Sequence, residues 1–68
     1  MHILVMTKGD GSPEVIVGRA KQQVLATGMQ CMQAQGGKWT CDLYQTVKPL
    51  GFQADFAQFL ERWPGPSP

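Results

Sequence analysis

The chain has 68 residues, 43% of them hydrophobic, with three Phe, two Trp and one Tyr. That length makes a single domain at most, and the apolar content exceeds what a disordered tail carries. Six Lys plus Arg stand against five Asp plus Glu, a formal net charge of +1. So even a balance offers no electrostatic basis for non-specific nucleic-acid binding, an acidic substrate or a membrane surface.

His2-Ile3-Leu4-Val5-Met6 is a run of apolar, β-favouring residues, predicted to be a strand buried on both faces. Lys8-Gly9-Asp10-Gly11-Ser12-Pro13 interrupts it with turn-forming residues. Its glycines and lysine do not make a phosphate-binding loop, which requires a longer glycine-rich turn and a Lys-Ser or Lys-Thr step opening a helix. Glu14-Val15-Ile16-Val17 predicts a second short strand, hairpinned to the first.

From Arg19 to Ala26 the residues, valine apart, lose little entropy in a helix, and Ala20, Val24 and Leu25 form a small apolar stripe. Gly28 admits two readings. In one, the helix runs through it to Gln35 and stops at Gly36-Gly37. In the other, Gly28 ends the helix and Gly36-Gly37 forms the turn of a hairpin joining residues 29–35 to a strand over 38–46. The second register puts Met32, Ala34, Trp39, Cys41 and Leu43 on one surface and a mostly polar set on the other. It accounts for all three glycines and is the reading preferred on sequence.

Beyond Pro49, the residues Phe52, Phe56, Phe59, Leu60 and Trp63 recur at helical spacing, with Asp55 near the start and Arg62 near the end complementing a helix dipole. They predict a C-terminal amphipathic helix, followed by a flexible tail over residues 64–68. The expected fold is therefore α+β: a small, mainly antiparallel sheet in the order β-β-α-β-β-α, with the last helix packed on one face of a single domain over residues 1–63.

Little here points to a reaction. Cys31 and Cys41 stand alone, ten residues apart, without the close cysteine pairs of a structural zinc site, and the hairpin register points them to opposite faces. There is one histidine, His2, and the acids show no paired spacing. The two serines lie in proline-containing segments. No catalytic residue, metal ligand, cofactor or small-molecule substrate is expected. The absence of a long apolar segment and of a signal-like N-terminus leads to an expected cytoplasmic, reduced protein.

The function expected by elimination is a small non-enzymatic interaction module, a regulator or accessory subunit. It would bind a partner protein, or a second copy as a homodimer, through an apolar helix edge carrying Phe52, Phe56, Phe59 and Trp63. The alternative route is an open sheet edge at Glu14–Val17 or Thr40–Thr46. The competing expectation is nucleic-acid binding by the strand bearing Lys38 and Tyr44, with Lys48 just beyond it.

Overall fold

The computed structural model describes residues 1–9, 11–48, 51 and 54–64. Asp10, Pro49, Leu50, Phe52, Gln53 and residues 65–68 lie outside these, and with them the expected role of Phe52 and the expected tail beyond Pro64. Four strands and one helix follow in the order β1 (His2–Lys8), β2 (Glu14–Gly18), α1 (Lys21–Gln35), β3 (Trp39–Val47) and β4 (Phe56–Pro64). The strands form one antiparallel sheet in the spatial order β2-β1-β3-β4. The fold is thus α+β with an antiparallel sheet, as the sequence indicates, but its helix lies mid-chain and the C-terminal segment is a strand.

Helix α1 runs unbroken through Gly28, which overturns the preferred hairpin. The physical reason is close packing. A Cβ built on Gly28 would lie 2.3 Å from Leu4 Cδ2 and 3.1 Å from Met6 Sδ. Gly28 is where the helix backbone comes down onto the sheet, and only a residue without a side chain lets it approach that far. Val24, Gly28 and Met32, one turn apart in succession, are the buried line of the helix. The paired glycines serve the helix end instead of a hairpin. Gly36 and Gly37 have φ of 70° and 96°, and the Gly36 N–H donates to the Met32 carbonyl at 2.9 Å.

The helix is poorly served by local signals. Its N-cap, Ala20, supplies no side-chain hydrogen bond; the first turn has no acid and the last turn no base. Packing therefore holds it. At its C-terminal end, Gln35 Nε2 donates to Glu14 Oε2 at 2.9 Å and the Cys31 thiol to the same oxygen at 3.4 Å, tying the helix to β2.

The predicted C-terminal helix is replaced by β4, which pairs with β3 from Val47↔Phe56 to Thr40↔Pro64. Phe and Trp favour strands, and β3 otherwise offers an unpaired edge. The register also shifts: Leu43 faces Glu61 while Tyr44 faces Phe59, leaving Leu60 as the extra residue of a β-bulge. The inserted residue brings Phe56 and Trp63, seven positions apart, to one face, and Phe59 on the other face fills the interval, so the four apolar residues imitate a helical stripe.

The core lies between α1 and the sheet. Leu4, Met6, Val24, Met32, Trp39, Cys41 and Leu43 are buried, with Ile16, Leu25, Cys31 and Trp63 packed against them. Trp39 keeps its indole N–H satisfied by the Gly36 carbonyl at 3.0 Å. No helix among the described residues is long and apolar enough to cross a membrane.

Candidate functional site

The sheet has two faces and the chain covers one of them. Directly paired residues share a face and successive residues alternate, so the registers assign each side chain. Leu4, Met6, Ile16, Cys41, Leu43 and Trp63 point toward α1. On the opposite face the pairs Ile3↔Val17, Val5↔Val15, Ile3↔Tyr44, Tyr44↔Phe59 and Asp42↔Arg62 run across all four strands. No described element covers them.

This bare face is apolar. Val15, Val17 and Phe59 are 55%, 53% and 51% exposed. Ile3, Val5 and Tyr44 are half-buried only because strands flank them on both sides. Tyr44 and Phe59 meet edge to face, with ring centroids 5.7 Å apart and planes at 69°. Between them and the strand ends lies one ion pair. Arg62 Nε donates to Asp42 Oδ1 at 2.6 Å and Nη2 to Oδ2 at 3.3 Å. The fork raises the Arg62 pKa further, chiefly through its hydrogen bond to Asp42, and leaves the face without net charge. Thr7, Thr40, Thr46, Ala57 and Pro64 share this face.

The helix-edge site does not exist as expected, because its helix is a strand. Phe59 falls on the bare face, Trp63 toward α1, and Phe56, 47% exposed, on the same side as Trp63 at the far end of β4. Phe52 is outside the described residues. As for the sheet edges, β2 is one edge and β4 the other; Thr40–Thr46 belongs to β3, an interior strand paired on both sides. The β4 edge ends in Pro64 and is bulged at Leu60, while β2 spans only five residues. Bulges, prolines and short edges each discourage strand addition.

Lys38 and Lys48 flank β3 at its opposite ends, roughly 30 Å apart at strand rise, so they form no common patch with Tyr44. Lys8 stands over the Trp39 ring, 5.8 Å from its centroid, on the helix side.

On that side a cleft of about 340 Å³ opens between α1 and β4, where the helix, seated over β1 and β2, stops short of the outermost strand. Leu25, Met29 and Met32 form its helix wall, Cys41 and Trp63 its sheet wall, and Lys21 reaches Glu61 across it at 3.8 Å. The Cys41 thiol is completely buried against Met32 Sδ at 3.4 Å; burial, and secondarily Asp42, pushes its pKa up, so it stays protonated and unreactive. Both cysteines are free. His2 spends its ring on the Arg19 carbonyl at 3.1 Å. Among the described residues no three of His, Cys, Asp and Glu gather as a metal site.

Sequence reasoning missed Ile3 and Val5 as site residues, and placed Val15 and Val17 on a binding edge instead of on the bare face. Their signal was present: β1 and β2 are apolar at consecutive positions, which gives both sheet faces an apolar surface. Comparison with protein-family models, curated proteins and solved structures returned no match for this chain.

Proposed function

We propose that the protein is a non-enzymatic interaction module that binds a protein partner through the bare face of its sheet. The observation that carries this is the continuous apolar strip Val15/Val17, Ile3/Val5, Tyr44 and Phe59, spanning all four strands with no described element over it. Monomeric soluble proteins seldom leave an apolar patch of this extent without a use for it. The face has the composition of an interface core, aromatic and β-branched at the centre, with its one charged pair internally neutralised. The strand edges, by contrast, are shortened, bulged or closed by proline, so the face and not the edge is the binding element.

Photo-crosslinking in the native setting tests this. A benzophenone amino acid at Val15 or Phe59 should give protein adducts, and the same probe at Gln22 or Gln30, on the solvent side of α1, should not. Adducts from the helix alone would overturn the reading.

Nucleic-acid binding is the second reading, supported by one feature: Tyr44 and Phe59 side by side on an open sheet, the arrangement on which bases stack. Cations to hold a backbone are missing beside them, since Arg62 is committed to Asp42. Salt-sensitive binding of single-stranded RNA or DNA, lost on Tyr44→Ala, would favour this reading over the first.

A further inference from the structure

We infer that the occupant of the bare face is a second copy of this chain, stacked sheet on sheet about a two-fold axis. This inference rests on the face being an interaction surface and names its partner.

Charge is the first ground. Asp42 and Arg62 neutralise each other at 2.6 Å and the remaining described positions are Val, Ile, Thr, Tyr, Phe, Ala and Pro, so a strongly charged partner would find no complement here. A flat, neutral, apolar face is complementary to itself, which is what an isologous contact requires.

Area is the second. Strands of seven, five, nine and nine residues, side by side, cover roughly 20 Å by 20 Å where all four overlap. Two such corrugated faces meeting remove on the order of 1,000 Å² from water, the lower bound of specific interfaces. The chain exposes 4835 Å² in all, so this is a substantial share for each copy. An interface of that size is consistent with a reversible dimer.

Shape is the third. The face grades from small to large: valines on β2, Ile3 and Val5 on β1, then Tyr44 on β3 and Phe59 on β4. A two-fold axis parallel to the strands lays the β2 side of one copy over the β4 side of the other. The valines of each copy then meet the aromatic rings of its partner, bulky against small, as interdigitating layers about 10 Å apart require. The product has four layers, helix, sheet, sheet and helix, with both clefts facing outward.

Sedimentation velocity from low micromolar to near-millimolar concentration, joined to isotope-filtered NOE spectra of a mixed labelled and unlabelled sample, tests the pairing. Within one copy Val17 and Phe59 are three strands apart, roughly 14 Å, beyond the reach of an NOE. The expected result is a monomer–dimer equilibrium with intermolecular NOEs from Val17 methyls to the Phe59 ring, weakened at least about tenfold by Val17→Lys and by Phe59→Lys. Circular dichroism establishes that each variant is folded, and Phe59→Lys on the exposed β4 carries the test if Val17→Lys is not. A chain that stays monomeric throughout, or a dimer that neither substitution weakens, overturns the inference. A monomer whose face still crosslinks to a different protein would reject self-association while leaving the interaction surface itself standing.

Discussion

Gly28→Ala sets two known effects against each other, and the structure decides between them. In an exposed helix interior the substitution stabilises by about 1 kcal/mol, because alanine has less chain freedom to lose. Here the new Cβ would sit 2.3 Å from Leu4 Cδ2, where ordinary carbon contacts are about 3.5–4.0 Å, so a gap of more than about 1 Å must open. Leu4 and Met6 are both buried and cannot swing aside into solvent. Overpacking of this kind costs about 1–3 kcal/mol, leaving a net loss near 1 kcal/mol. For a domain this small that lowers the thermal midpoint by about 4–8 °C. Leu4→Val, which removes the clashing atom for about 1 kcal/mol of its own, should relieve the strain. In that background Gly28→Ala becomes neutral or stabilising, a coupling of about 1 kcal/mol or more between the two sites. Urea and thermal unfolding followed by far-ultraviolet circular dichroism give all four corners of the cycle. A Gly28→Ala protein more stable than wild type, with no coupling to Leu4, would refute the close approach of α1 to β1.

Two further outcomes follow from the same packing. Ala20 already has the extended N-cap conformation, φ −98° and ψ 129°, but no cap side chain. Ala20→Asp should therefore stabilise by about 0.5–2 kcal/mol in a denaturant titration, adding a cap bond and a favourable charge at the helix start. For Cys41, the folded-state pKa lies above the ordinary value of 9.0. The unfolded chain then loses its thiol proton first as pH rises, and stability falls as the pH climbs past about 9. Unfolding midpoints between neutral and alkaline pH should drop more in wild type than in Cys41→Ala, and parallel curves would show that burial does not hold the proton.

The first half of the fold is legible in the residues because local preference and tertiary need agree there. The β-branched runs at Ile3–Met6 and Val15–Val17 are strands, the turn residues after Lys8 separate them, and Trp39, Cys41 and Leu43 alternate inward as β3 demands. Two positions mislead for definite reasons. Gly28 reads as a stop because a glycine in a helix costs stability, yet its lack of a side chain lets the helix touch Leu4. The spacing from Phe56 to Trp63 reads as a helix because the strand carries apolar residues on both faces and a bulge at Leu60 shifts its alternation by one residue. Bulges depend on the partner strand, so no pattern within the segment itself reveals them. Phe59 was thus singled out for a helix edge and belongs instead to the sheet face. Ile3 and Val5 read as core because consecutive apolar residues do not say whether anything covers the second face.

Carbene footprinting measures that second face directly, by labelling side chains in proportion to their access to solvent. In dilute purified protein Val15, Val17 and Phe59 should label strongly, and in native extract they should be protected while Gln22 and Gln30 on α1 label equally in both. Unchanged labelling of the valines and Phe59, or protection confined to the helix, would contradict a sheet face that works by being covered.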